Sequence, residues 1–298
     1  MVAMSSFLRP IRLHVEYAAV RAVLVLAGAL PIGPARAIGA SLGTVAWAAG
    51  VRRRVCIENI TASLGVSPAE AARIARRSYQ NLGRSLMEFA AFRRWSGEDL
   101  MRQIDFDGVE NFQKAQDAGK GAVCVAGHFG NWEMLGAAVG RLGYPTNFLV
   151  GQQTNSRVDD VINDLRRTQG VGIITRASAL RKVLQALRAN QFLALLADQD
   201  ARKGGVIVEF LGRPASTVRG PALFAVRSGC PIIPMFIHRE NGRHRAIAEP
   251  PIWADPSLDE ETAVLELTRR HAEALARQIR AHPDEYFWPH RRWKTKSV

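Results

Sequence analysis

Cysteine is scarce in this chain, with three residues among 298, at positions 56, 124 and 230. An odd number of widely separated cysteines forms neither a disulfide framework nor a CxxC metal or redox motif. This usage fits a reducing compartment. Cys124 stands inside the apolar run 121–127, which predicts a small core residue rather than a nucleophile.

The motif of zinc-dependent hydrolases is also missing, because the sequence contains no HExxH, the pattern of zinc proteases. Cys230 lies between Gly229 and Pro231 without an adjacent base that would activate its thiol. Asp198 and Asp200, in the string ADQD, are two carboxylates without further ligands, which is weak evidence for a metal. The sequence therefore predicts no metal and no cofactor.

Acidic residues are outnumbered, because 40 Lys and Arg face 27 Asp and Glu and leave a formal net charge of +13. Such a charge indicates acidic partners, namely nucleic acid, an anionic membrane surface or an acidic carrier protein. No zinc-finger spacing or RNP-like string is present, and the aromatic residues do not alternate with a basic stripe. We therefore expect no nucleic-acid binding, and membrane and carrier protein remain.

The most apolar N-terminal run is short for a membrane span. Residues 18–32 are apolar apart from Arg21, whereas a spanning helix needs about 20 residues. Two arginines precede the run and Ala35-Arg36-Ala37 follows it, so a cleaved secretory signal is one interpretation. The other, which we favour, is a retained helix in the membrane or lying on it.

Arginines after a second apolar run suggest which side of the membrane the protein occupies. Arg52, Arg53 and Arg54 follow residues 38–51, and positive charge next to membrane segments is typical of the cytoplasmic side. We predict membrane-associated helices over residues 1–50, an N-terminal anchor, and one larger domain over residues 51–298.

Apolar runs alternate with helical patterns from residue 103 onward, which is typical of an α/β fold with helices on the faces of a sheet. We predict a central mixed sheet flanked by helices. The predicted strands are 103–107, 121–127, 146–151, 172–175, 192–198, 206–210 and 231–238. The predicted helices are 109–118, 131–141, 156–169, 177–189, 217–228 and 258–281. An earlier helix, opened by the capping box Ser67 to Glu70, is expected to end near Phe92.

The string HFGNWE, residues 128–133, is the strongest candidate for a catalytic site. It follows the predicted strand 121–127, and five residues of continuous helix would turn Glu133 about 140° away from His128. Gly127 and Gly130 allow the tight turn that removes this obstacle. Asn131 is a suitable N-cap, with Glu133 in the first helical turn. We expect Glu133 to bind one imidazole nitrogen of His128 and leave the other free as a general base.

These residues resemble the lipid A biosynthesis acyltransferases (lauroyl and myristoyl transferases) of the lysophospholipid acyltransferase superfamily, which carries His-x4-Asp/Glu. The similarity extends through VGQQTNSRVDDVINDLRRTQG (150–170), ADQD (197–200), FLGRPASTVRGPALFAVRSGCPIIPMF (210–236) and DEYFWPHRRWKTK (284–296). Together these segments cover nearly the whole chain in the order of the family.

The resemblance implies transfer of a fatty acyl chain from an acyl carrier protein thioester to a hydroxyl of a lipid A precursor, at the cytoplasmic face of the inner membrane. An acyl-CoA donor with a lysophospholipid or glycolipid acceptor is the alternative, and a noncatalytic membrane scaffold is a third. Family positions implied for substrate binding are Arg166, Asp198, Arg157, Arg213 and Thr217. Arg167 lies next to Arg166 and is equally basic, so either arginine fits that family position.

Two of these segments allow a second interpretation. Thr217, together with Ser216, also suits the cap of the next helix. Asp198 follows a predicted strand, where open α/β sheets place their sites, and is expected to hold a nearby arginine or the active-site loop. In the tail, Trp288 and Trp293 among basic residues indicate either a membrane-interface anchor or a segment folded back over the sheet.

Overall fold

The computed structural model describes residues 2–176 and 179–295 and shows an α/β protein. In chain order the strands are β1 (Ile104–Asp107), β2 (Ala122–Ala126), β3 (Thr146–Val150), β4 (Gly172–Thr175), β5 (Phe192–Leu196), β6 (Val206–Phe210), β7 (Arg213–Thr217), β8 (Ile232–Glu240) and β9 (Arg243–Ala248).

Seven helices agree with the predicted ones to within a few residues, two more lie in the predicted helical segment 1–50, and those at residues 53–64 and 97–101 were not predicted. The helices are α1 (Val2–Ala29), α2 (Ile32–Ala48), α3 (Arg53–Leu64), α4 (Pro68–Ala90), α5 (Gly97–Met101), α6 (Val109–Asp117), α7 (Trp132–Arg141), α8 (Ser156–Thr168), α9 (Ala179–Arg188), α10 (Gly220–Ser228) and α11 (Glu260–Ala281). The predicted helix 177–189 has its first two residues outside the described part of the chain.

Seven strands form the central sheet, in the order β1-β9-β8-β2-β5-β3-β4. Only β8 and β9 pair antiparallel within it, so the predicted mixed sheet is confirmed. Every residue of β2 is buried, as expected for a central strand covered on both faces. Its alternate residues enter two cores: Cys124 packs with α6 and α7, whereas Val123 and Val125 pack with α9 and α10.

The strands β7 and β9 were not predicted, and each follows the preceding strand through a two-residue turn. β8 and β9 are joined by Asn241 and Gly242, with φ of 49° and 78°, and β6 and β7 by Leu211 and Gly212, with φ of 53° and 76°. Positive φ at both positions suits the twist of a tight hairpin. The predicted strand 206–210 is confirmed as β6, and it pairs with β7 in a separate two-stranded sheet.

The N-terminal helices lie against the rest of the fold. Ala35, Gly39, Gly43 and Trp47 are the buried residues of α2, and their spacing of four places them along one helical face. That face packs against α4. Within residues 2–176 and 179–295, no helix combines the length and the apolarity that crossing a membrane requires.

Glu88, on α4, is fully buried and joins the N-terminal helices to the sheet. Its carboxylate accepts from Arg36 Nε at 2.6 Å and from Arg239 at 2.6 and 2.7 Å, and it lies 3.1 Å from His244 Nε2. It also accepts from the Asn131 amide at 2.8 Å. Burial opposes ionisation, but His244 and Arg239 more than offset it and hold the pKa of Glu88 well below its ordinary value.

Replacing Glu88 with glutamine is expected to lower the free energy of unfolding by about 3–5 kcal/mol, because it leaves buried guanidinium groups without their carboxylate. Urea unfolding followed by circular dichroism measures the loss. Glu58→Gln is the matched control, since Glu58 forms an exposed pair with Arg54 and should change stability little. Equal losses in the two variants would contradict the prediction.

Candidate active site

A cavity of about 450 Å³ opens at the carboxyl ends of β2, β5 and β3 and extends beneath α7. The polar side chains of its wall are those of His128, Glu133, Arg166 and Gln199, together with Ser85, Asn131, Gln152, Gln153 and Arg176. The rest of the wall is mostly apolar. It includes Leu82, Phe89, Cys124, Ala126, Leu135, Phe148, Ile162, Ala194 and Met235. The arrangement is that of a ligand site with a few polar groups and an apolar interior.

The loop between β2 and α7 has the predicted conformation. Gly130 has φ of +59°, and a Cβ built there would lie 1.7 Å from the carbonyl oxygen of Ile237 on β8. Only glycine therefore fits this position. Asn131 caps α7 by accepting from the Met134 amide at 3.1 Å. Glu133 lies in the first turn of α7, as predicted.

His128 is held by Asp198 and not by Glu133, which corrects the predicted contact. Its Nδ1 lies 2.8 Å from Asp198 Oδ1, and its backbone N–H donates to Asp198 Oδ2 at 3.0 Å. The reason is strand order. β2 and β5 are parallel neighbours with Ala126 opposite Leu196, so the residues two positions beyond each strand meet at the same edge of the sheet.

The Asp198 carboxylate stabilises the charged form of the imidazole and orients the ring. Burial lowers the pKa of His128, but the Asp198 carboxylate outweighs burial and the net pKa is raised above its ordinary value. Burial likewise raises the pKa of Asp198, yet His128 and, more weakly, Arg292 bring it down to about 2. Asp198 is therefore ionised at neutral pH and fixes which ring nitrogen carries the proton.

Glu133 is bound by Arg166 across the cavity. Arg166 donates from Nε to Oε2 at 2.8 Å and from Nη2 to Oε1 at 2.6 Å, a bidentate ion pair. Its Nη1 donates to Asn163 Oδ1 at 3.0 Å, so each of its three nitrogens already donates to the protein. Arg167 instead points to the surface and pairs with Asp164.

Gln199 is a site residue that the sequence reasoning missed. It lies between the two aspartates of ADQD, and its Nε2 is 3.5 Å from Nε2 of His128, the ring nitrogen that Asp198 leaves free. The ring of Trp132 packs edge-on against the imidazole, with centroids 5.0 Å apart. The free nitrogen of His128 therefore faces an amide donor and the cavity.

The tail folds back over the loop between β2 and α7. The Phe287 N–H donates to the His128 carbonyl, and the Gly130 N–H donates to the Glu285 carbonyl, both at 2.9 Å. Trp288 is only 1% exposed and lies in the core. The interpretation of Trp288 as a membrane-interface anchor is therefore wrong, and the alternative of a segment folded over the sheet is confirmed.

Thr217 does not cap the following helix, as one interpretation proposed, because it belongs to β7 and α10 begins three residues later. Its hydroxyl accepts from Arg292, which also donates to the Ser216 carbonyl and is 1% exposed. Thr217 and Arg292 line a small cavity behind Asp198, together with His271. Thr217 and Asp198 thus line the same small cavity, and neither is among the residues that line the large cavity.

The other two predicted site arginines lie outside the large cavity. Arg213 stacks over the ring of Trp293 at 4.3 Å, and the exposed Arg157 lies 5.9 Å from the ring of Tyr17. Asp200 binds Thr295 and the Arg202 amide. In the part of the chain that the structure describes, no three His, Cys, Asp or Glu residues are grouped to hold a metal ion.

Comparison with known proteins shows the family of the chain. The family profile described as bacterial lipid A biosynthesis acyltransferase matches residues 5–295. The chain is 29% identical to phosphatidylinositol mannoside acyltransferase of Mycobacterium tuberculosis, over 79% of this chain and 75% of the relative. It is 25% identical to lipid A biosynthesis palmitoleoyltransferase of Escherichia coli, over 78% and 75% of the two chains. With lipid A biosynthesis lauroyltransferase of Escherichia coli the identity is 24%, over 92% and 90%.

Proposed function

Because the chain belongs to the bacterial lipid A biosynthesis acyltransferase family, we propose that this acyltransferase moves a fatty acyl chain from a thioester to a lipid hydroxyl, with His128 as the general base. The observation that carries the proposal is the orientation of His128. Asp198 binds Nδ1 and leaves Nε2 beside a largely apolar cavity. A base in that position can remove a hydroxyl proton next to a bound acyl chain.

The proposed reaction needs no covalent enzyme intermediate. The acceptor oxygen attacks the thioester carbonyl carbon while its proton passes to Nε2 of His128. The tetrahedral intermediate then collapses, the carbon–sulfur bond breaks, and the imidazolium returns the proton to the leaving thiolate. The products are an ester and a free thiol. Asp198 stabilises the imidazolium throughout, as a carboxylate does in hydrolase triads.

Gln199 is the proposed donor for the developing oxyanion. The backbone N–H groups of His128 and Gly130 already bind Asp198 and Glu285, so they cannot serve the substrate. The Gln199 side chain is exposed and lies at the cavity beside His128. A neutral amide donor aimed at the reacting carbonyl supplies the stabilisation that this chemistry requires.

Arg166 and Glu133 are proposed to shape the polar part of the cavity as one unit. Their side chains are 15% and 11% exposed and form two hydrogen bonds. Because Arg166 is already paired with Glu133, we propose that it positions this carboxylate rather than binding a phosphate group of the substrate. The Glu133 carboxylate also lies close enough to raise the pKa of His128, though Asp198 does so more strongly.

An acyl carrier protein thioester is the proposed donor and a 3-hydroxyacyl chain of a lipid A precursor the proposed acceptor. The net charge of +13 suits an acidic carrier, and two of the relatives are named lipid A acyltransferases. The alternative, an acyl-CoA donor with a phospholipid or glycolipid acceptor, is favoured by the similarity to phosphatidylinositol mannoside acyltransferase. The His128–Asp198 pair argues against a noncatalytic scaffold.

Mass spectrometry of lipid products distinguishes these acceptors and donors. The purified protein is incubated with a tetra-acyl lipid A precursor or with a phosphatidylinositol mannoside, each with the carrier-protein or the CoA thioester. A gain of one acyl mass on the lipid A precursor with the carrier thioester supports the main proposal. A gain only on the mannoside supports the alternative, and no gain with any pair contradicts both.

The N-terminal helices are proposed to rest on the cytoplasmic face of the inner membrane. Exposed apolar side chains include Val15 and Val25 on α1 and Leu42 and Val45 on α2, each at least half exposed. Leu42 and Val45 are three residues apart and so share one helical face. An apolar face flanked by a positively charged protein binds anionic bilayers at the headgroup level.

The double substitution Leu42→Glu and Val45→Glu is expected to reduce co-sedimentation with phosphatidylglycerol vesicles at least tenfold, because apolar contacts are replaced by charges that the anionic surface repels. The matched control is Leu258→Glu with Leu265→Glu, two exposed leucines near or on α11. Both doubles add the same charge. If they weaken binding equally, net charge rather than the α2 face explains the attraction.

A further inference from the structure

The cavity follows one face of the sheet downward from His128. Cys124 on β2 is paired with Ala194 on β5, and Ala194 with Phe148 on β3. These three side chains belong to the same core and all line the cavity. They lie side by side across β2, β5 and β3, in a row that we call a rung. This rung precedes His128 by four residues on β2, which is about 13 Å along the strand at 3.3 Å per residue.

The small side chains of this rung leave the space open. Ala126, two residues above Cys124, also lines the cavity, so β2 presents only small residues on this face between the rung and His128. Ala194 is 7% exposed and Cys124 is fully buried. A larger side chain at either position would therefore enter the cavity rather than solvent.

The next rung closes the space. Phe192 lies opposite Ala122 on one side and Thr146 on the other. It is fully buried and stacks on Tyr144, with ring centroids 5.2 Å apart, and contacts Phe112 at 5.9 Å. Phe192 does not line the cavity. The cavity therefore ends between Ala194, which lines it, and Phe192, which lies directly beneath its floor.

The side wall is fixed by a close contact between α7 and β3. A Cβ built on Gly136 would lie 2.2 Å from Cζ of Phe148, so the absence of a side chain at 136 lets the phenylalanine ring lie against the helix. The ring is 8% exposed and cannot move aside without disturbing the core. Floor and wall therefore have fixed positions.

We infer that Cys124, Ala194 and Phe192 determine the length of the acyl chain that this enzyme transfers. This inference rests on the proposed function and adds the preference of the enzyme for acyl chains of one length. The chain enters past His128, and its methyl end stops at the rung above Phe192.

Ala194→Val tests the inference by adding two carbons to the wall of the cavity. The enzyme is given an equimolar mixture of thioesters with acyl chains of 10, 12, 14 and 16 carbons, and mass spectrometry measures the product ratios. The preferred chain should shorten by about two carbons, with the ratio of the original to the shorter product falling on the order of tenfold. Product ratios are internal to each reaction and do not depend on how much protein is folded.

Ala246→Val is the matched control, because Ala246 is a fully buried strand residue of the same core that does not line the cavity. It should leave the ratios of the wild type. Phe192→Leu lowers the floor and should shift the preference toward longer chains, which keeps the inference testable if Ala194→Val does not fold.

Unchanged ratios in an active Ala194→Val or Phe192→Leu enzyme would overturn the inference. The same shift in Ala246→Val would also overturn it, since general core strain would then explain the result. If the wild type forms no ester from any thioester in the mixture, the proposed function fails instead, so the two failures are distinguishable.

Discussion

His128→Ala is expected to reduce the turnover number by on the order of 10³-fold, the contribution of a positioned general base. The Michaelis constants should change little, because the apolar wall of the cavity is untouched. Turnover is measured by release of free thiol from the thioester donor. The loss is expected in the turnover number, since the imidazole accepts its proton only as the carbonyl is attacked.

His14→Ala is the matched control for this variant. His14 is an exposed histidine on α1 and is not among the residues that line the cavity, so its loss should leave turnover unchanged. Circular dichroism checks that both variants are folded. A His128→Ala enzyme that is folded and retains the wild-type turnover number would exclude His128 as the base.

Asp198→Asn and Glu133→Gln are expected to differ in size of effect, and the difference identifies the carboxylate that orients the base. The Asp198 substitution should lower turnover on the order of 10³-fold, since an amide no longer fixes the reactive tautomer of His128. The Glu133 substitution should lower it about tenfold, because Glu133 contacts Arg166 rather than the imidazole. Steady-state kinetics of the two variants are compared directly.

The pH dependence of kcat/KM distinguishes loss of the carboxylate charge from structural damage, because damage alone would not shift the profile along the pH axis. The base must be neutral to act, so activity rises with pH through the pKa of His128, which lies above its ordinary value of 6.5. Removing the Asp198 charge lowers this pKa, and the acid limb of the profile therefore moves to lower pH even as the maximum falls. Glu133→Gln should move the limb in the same direction by less. A larger shift with Glu133→Gln would restore Glu133 as the partner of the base.

Local features of the catalytic loop could be predicted because they depend on neighbouring residues. Positive φ at Gly130, the cap at Asn131 and the placement of Glu133 in the first turn of α7 all follow from residues within one turn of each other. The Asn241-Gly242 turn was an equally local signal for β9, because this pair is typical of two-residue hairpins, and the sequence analysis overlooked it.

The partner of His128 could not be predicted in the same way. Asp198 is 70 positions from His128 along the chain, and the contact depends on β2 lying beside β5, an order that strand periodicity does not reveal. The burial of Arg292 is a similar case. A fully enclosed guanidinium is rare unless it is paired, and its partners on β7 belong to a hairpin that the sequence analysis did not recognise.

The tail segment that covers the loop between β2 and α7 makes the geometry of the site depend on residues 285–292. Phe287 and Glu285 bind this loop from more than 150 positions farther along the chain. The sheet by itself brings His128 and Asp198 to one edge, but two backbone bonds of the loop come from the tail. The complete geometry around His128 therefore requires the docked tail as well as the formed sheet.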